Sequence, residues 1–207
     1  MNKLLVIFIV IFSFANCSFA QDTIITVEGE KILISEFRQT GTSECYYKNK
    51  KGKEKEIDME DIFSIRNSSG NETVFYKQDT LKGFYDSKEE MQQYINGILA
   101  ARKEHKAPLF TYLGAGLSIV AVTAVVSTGV GALFWTPLVP VIYTGFVVKS
   151  KPNVEKITKF IPENLKTEKY VTGYVTQVKR KRVNNAILGS VGGLFLGWVG
   201  FFAITGL

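Results

Sequence analysis

Three glycines, Gly189, Gly193 and Gly197, stand at every fourth position of a run, Ala186 to Leu207, that holds no charged residue. That spacing stacks them on one face of an α-helix. With no Cβ on the face another backbone can approach closely, which matters most in lipid, where no hydrophobic drive brings helices together. Gly114 and Ser118 form a weaker small-residue pair of the same kind. Such a face either joins copies of a chain into an oligomer or packs helices within one chain, and the spacing does not choose. Just before the glycine run stand four cations, Lys179, Arg180, Lys181 and Arg182. At the edge of an apolar run they are placed to bind anionic lipid headgroups, or simply to hold the chain in the headgroup layer.

Other chemistry is sparse. The single histidine, His105, has only the adjacent Glu104 as a metal-ligand residue type near it in sequence, too few for a site, and Cys45 lies in an apolar stretch beside Tyr46 and Tyr47 that reads as a strand. No phosphate-cradling glycine loop, zinc-protease helix motif, nucleophile elbow or pair of carboxylates in an apolar setting occurs. The expectation is a protein that is not an enzyme and uses no cofactor or metal. Nor does an ionisable residue interrupt the long apolar runs, as a transport path would require. A subunit of a membrane channel or transporter complex is therefore the second reading.

The elements that carry these residues follow from a segregated composition. The 207 residues are 46% apolar and 21% charged, yet residues 1 to 20 and 108 to 148 hold one charge between them, Lys3. That partition excludes a single soluble globule and a disordered chain. Met1 to Ala20 has a basic start, an apolar core and small residues at Ser18 and Ala20, the pattern of a signal peptide cleaved before Gln21. Lipidation of Cys17 is the rival, and Asn16 spoils its recognition sequence. After cleavage Cys45 has no partner within the chain for a disulfide.

Residues 21–80 read as a small β domain. Six strands are expected over Thr23 to Val27, Lys31 to Arg38, Glu44 to Lys48, Lys53 to Asp58, Phe63 to Arg66 and Glu72 to Lys77. Turns fall at Gly29, Gly41, Lys51-Gly52, Met59 to Asp61 and Asn67 to Asn71. So many short strands suggest an antiparallel SH3-like barrel or curled sheet. Its acids and bases are nearly balanced and interleaved, so no nucleic-acid face is expected.

Residues 87–107 read as a juxtamembrane helix, opened by a capping box of Ser87 and Glu90 and ending in basic residues before Pro108. From Ala107 to Val148, 42 residues carry no charge. As helix they would reach roughly 60 Å, twice the ~30 Å hydrocarbon core, so residues 108–148 read as a hairpin of two spans. The break falls between Thr128 and Pro137, and Pro137 and Pro140 shorten the second span. Residues 149–185 form a basic linker and helix with seven more basic than acidic residues, and 186–207 a third, glycine-rich span. Tyr94 to Gly97 and Tyr170 to Gly173 both precede a basic helix end and a glycine-bearing apolar run, an internal repeat at an offset of 76.

The Phe19-Ala20-Gln21 junction, the strands around Asp61 to Ile65 and Glu72 to Tyr76, and Tyr170 to Tyr174 before the basic cluster resemble small cell-envelope membrane proteins of Bacteroidota, to which no activity is assigned. A looser likeness is to glycine-zipper outer-membrane lipoproteins. The resemblance implies the bacterial cell envelope; the strands and apolar runs imply an α+β chain, and a cleaved signal peptide puts its β domain in the periplasm. The partners to expect are membrane lipid and, through the spanning helices, further copies of the chain. One tension follows. A cleaved signal peptide and a hairpin put the basic 149–185 segment outside, against the positive-inside tendency, unless the apolar run crosses once or the membrane is one where that tendency does not act.

Overall fold

A computed structural model describes residues 21–40, 43–81, 83–126 and 134–205. The chain is α+β, with a six-stranded antiparallel sheet and five helices among the described residues, in two compact units that divide near Lys88. The signal peptide, the turn at Gly41, most of the hairpin break and the last two residues lie outside the described residues.

In the first unit β1 (Asp22–Thr26) is central. It pairs on one side with β2 (Lys31–Thr40), which continues through β3 (Glu44–Asn49) to β4 (Glu54–Asp58), and on the other with β5 (Ile62–Arg66) and then β6 (Glu72–Val74). Its central place explains why Ile24, Ile25 and Thr26 are buried in succession rather than alternately. The edge strand β4 is almost wholly exposed and carries Glu54, Lys55 and Glu56, charges that discourage pairing with another chain. Ile24, Ile34, Cys45, Tyr47 and Ile62 form the core. Two hairpin turns share one construction: Gly52 and Gly70 take φ of 72° and 88° and donate to the carbonyls of Asn49 and Asn67, a left-handed position that glycine fills without strain. The sixth strand is shorter than its sequence suggests. The amides of Phe75 and Tyr76 both donate to the Phe63 carbonyl, so the ladder stops there.

The second unit is helical. α1 (Lys88–Glu104) begins directly after Ser87, and α2 (Pro108–Val126) starts at the proline, where no amide donor is needed; the two are bent by 61° at the break. α3 (Leu138–Lys149) follows Pro137, and Pro140 falls in its first turn. The short α4 (Val154–Thr158) lies between Pro152 and Pro162 and is capped by Asn153, whose side chain accepts from the Lys156 amide.

α5 (Glu168–Thr205) is one helix of 38 residues, about 57 Å long. Sequence patterning divides this stretch at residue 185, and the structure does not. No proline separates Arg182 from Ala186, and Val183, Asn184 and Asn185 continue the helix. The first half of α5 supplies Tyr170, Tyr174 and Val178 to a small core with Ala101 of α1, Ile157 of α4 and Ile161. Its second half packs on α2 and α3.

Candidate functional site: the glycine seam and its basic collar

A Cβ placed on Gly189 would lie 2.1 Å from the Thr111 carbonyl oxygen, and one on Gly193 2.4 Å from that of Ala115. At Gly197 it would meet the Val122 side chain at 2.9 Å, and at Gly114 the Ser190 amide nitrogen at 2.8 Å. Residue numbers rise together on both sides, so α5 runs parallel to α2 with its glycine face against that helix. Of the two uses the spacing leaves open, packing within the chain is the one this face shows: α2 lies against it. Ser118 is fully buried on the same seam, and Leu194, beside the glycines, packs with Val122 and Phe201.

The same closeness recurs nearer the start of the unit. A Cβ on Gly97 would fall 2.1 Å from the Tyr170 oxygen, and one on Gly173 would fall 2.0 Å from the Tyr94 oxygen. Tyr94 and Gly97 correspond to Tyr170 and Gly173 at the repeat offset, so each glycine receives the partner motif's tyrosine carbonyl. The repeat read from sequence is a reciprocal crossing in space. Gly114 and Ser190, which touch farther along, are also 76 apart.

Three polar side chains in the apolar half find partners inside it, while the buried Ser118 hydroxyl has none. Tyr143 donates to the Phe110 carbonyl at 2.9 Å, Ser190 to that of Ala186 at 2.7 Å, and the Trp198 indole to the Thr136 hydroxyl at 3.1 Å. The large apolar side chains point the other way. Leu109, Leu113 and Val120 of α2, Val141, Ile142 and Phe146 of α3, and Leu188, Phe195, Leu196 and Val199 of α5 are all exposed. Small and polar residues inside with large apolar ones outside is the reverse of a water-soluble bundle.

The basic cluster divides. Lys179 and Arg180 are exposed, as a headgroup contact requires. Lys181 is not so placed. Its ammonium donates to the carbonyls of Arg102 and His105 at 2.5 and 2.6 Å, closing the last turn of α1. Arg182 lies with its guanidinium carbon 5.3 Å from the Phe110 ring centre, a cation–π contact. Asn185 donates to the Ala107 carbonyl at 2.8 Å. These three tie α5 to the elbow between α1 and α2. A row of four cations in sequence gives no sign of this, because on a helix consecutive residues point in different directions. Only the offset of 76 to 79 between each donor and its acceptor, close to the repeat, could have suggested it.

His105 is partly buried at that elbow. Burial, then the charges of Arg182 and Lys181, hold its imidazole below the usual histidine range. Cys45 is fully buried with its thiol 3.8 Å from the Met59 sulfur, and burial pushes the thiol up, away from the reactive thiolate. Among the described residues no group of three His, Cys, Asp or Glu is gathered as a metal site.

These features define an α+β chain with one helix, Glu168–Ala203, long and apolar enough to span a membrane, and a second candidate in the bent pair of α1 and α2. Beyond this class the chain is not placed: no protein-family model, curated protein or solved structure matches it.

Proposed function

We propose that the protein is a non-enzymatic integral membrane protein of the bacterial cell envelope, a structural or interaction module with a small periplasmic β domain and membrane-inserted helices. The observation that carries this reading is the outward apolar surface of α2, α3 and the second half of α5 around a seam of glycine, serine and threonine. Lengths support it. The 19 residues of α2 reach about 28 Å and the last 20 of α5 about 30 Å, the thickness of a hydrocarbon core, whereas the 12 of α3 reach only about 18 Å. α2 and α5 are thus full spans and α3 a short return. The β domain is read as SH3-like because a 3-10 turn, Met59–Asp61, leads the fifth strand back to pair with the first in a small, all-antiparallel meander. With the seam filled, association between copies falls to outward positions such as Gly116, Gly192 and Gly200, where a Cβ would meet nothing within 4 Å.

Washing membranes with alkaline carbonate tests the reading. The full chain stays in the pellet, and its release would overturn membrane integration. Intact mass of the recovered protein should match a chain beginning at Gln21; a mass carrying lipid on Cys17 would replace the leader cleaved after Ala20 with a lipoprotein anchor.

A further inference from the structure

The elbow between α1 and α2 concentrates positive charge beyond what its packing uses. Arg102 and Lys106 act on Lys181, and Lys181 and Arg182 act on His105. The neighbouring acid, Glu104, bears instead on Tyr170 and Tyr174. Lys181 is held in place by two carbonyls and Arg182 by an aromatic ring, so neither can swing away to relieve the repulsion. Two nitrogens here, Nε2 of His105 and Nε of Arg182, are buried with no hydrogen-bond partner. A buried unpaired polar atom costs free energy, and fixed like charges add to that cost. One ligand chemistry relieves both: an anion presenting several oxygens in a compact group.

We propose that this elbow, built on His105, Lys106, Lys181 and Arg182, binds a phosphate group, carried by an acidic phospholipid or free in solution. A phosphate accepts from a guanidinium and an imidazole at once, and its charge offsets the cluster. Because the elbow opens the apolar run at Pro108, the lipid source rests on the membrane reading above, which places this level among the headgroups. The site differs from the exposed pair Lys179 and Arg180, which meets any anionic surface without selecting a group.

The single histidine makes the test direct. The full chain, ¹⁵N-labelled at histidine in nonionic maltoside micelles, is titrated at constant ionic strength with phosphatidylglycerol, with a neutral diacylglycerol, and with inorganic phosphate against chloride. The His105 imidazole resonances shift saturably with phosphatidylglycerol and not with diacylglycerol. A saturable shift with inorganic phosphate alone identifies free phosphate as the ligand, and a requirement for the lipid identifies the headgroup. Arg182→Gln weakens the apparent affinity by about tenfold, as loss of a charged hydrogen bond does. Lys159→Gln, the same charge change at an exposed site in another segment, leaves it unchanged. Absence of any shift with lipid or phosphate overturns the site, as does equal weakening by both variants, which would mean diffuse surface charge. Should the arginine variant fail to fold, the wild-type titration still decides. A chain that resists carbonate yet shows no shift loses the phosphate site and keeps its membrane assignment.

Discussion

Adjacent glycines in α5 stand in opposite circumstances, and that contrast is measurable. Gly193→Ala drives a methyl to 2.4 Å from the Ala115 carbonyl, so the helices must part, at a cost of about 1–3 kcal/mol. At Gly192 the same methyl meets open space, and Gly192→Ala is neutral or stabilising by up to ~1 kcal/mol through helix propensity. Thermal unfolding of the full chain in nonionic detergent compares them, and equal midpoints would remove the seam's physical basis. A second residue prediction concerns Glu72. Burial alone would raise its pKa, but hydrogen bonds from Arg66 and Ser64 and the Arg66 charge outweigh it and hold the carboxyl below its ordinary value. A depressed folded pKa contributes stability that is present above the unfolded value, about 4.3, and lost as pH falls through the folded one. Protection of the β5 and β6 amides, taken as exchange relative to the intrinsic rate at each pH, therefore falls on acidification below that value, and Glu72→Gln flattens the response; an unchanged acid limb in the variant would show that this carboxylate is not the group responsible.

Elements were legible where local patterning and packing agree. Six strands were expected and six are found, because glycine and asparagine turns delimit them and apolar residues mark the buried face. The start of α1 after Ser87 and of α2 at Pro108 were legible for the same reason. Two features were not. α5 joins an amphipathic half to an apolar half, and a change of pattern reads as a boundary although the backbone has no reason to stop. The inward turn of Lys181 and Arg182 depends on a helix some 80 residues away, which no local pattern encodes. The repeat lies between these cases, visible as four matching residues and meaningful only once they meet. Its reciprocity yields a prediction for the crossing as a whole. Gly97→Ala and Gly173→Ala insert a methyl 2.1 and 2.0 Å from the opposite carbonyl, so each should lower the unfolding midpoint by a similar amount. One separation of the helices relieves both clashes, so the double variant should lose clearly less than the sum of the two. Additive losses would mean that the two contacts are independent.

At the scale of the whole molecule the question is which side of the membrane each basic segment occupies. α2 leaves the elbow at Pro108, and α3 returns, since its Tyr143 reaches the Phe110 carbonyl near the start of α2 while Thr136 meets Trp198 toward the end of α5. The path thus brings Lys149 back toward the level of the elbow, and α5, parallel to α2, departs again from Lys179 to Arg182. Under the membrane reading proposed above, Lys103, Lys151 and Lys179 belong to one side, which the proposed leader makes the periplasmic one. Positive charge retained there opposes the usual tendency, and two forces offset it: anionic headgroups available to the collar, and an apolar surface on α2 and α5 that is lost unless both helices are inserted. Single cysteines replacing Lys103, Lys151 and Lys179, in a chain whose Cys45 is changed to Ser, should all react with an impermeant maleimide on spheroplasts. Labelling of Lys103 alone would mean that the apolar run crosses once. α3 would then not return beside α2, and the bond from Tyr143 to Phe110 could not form.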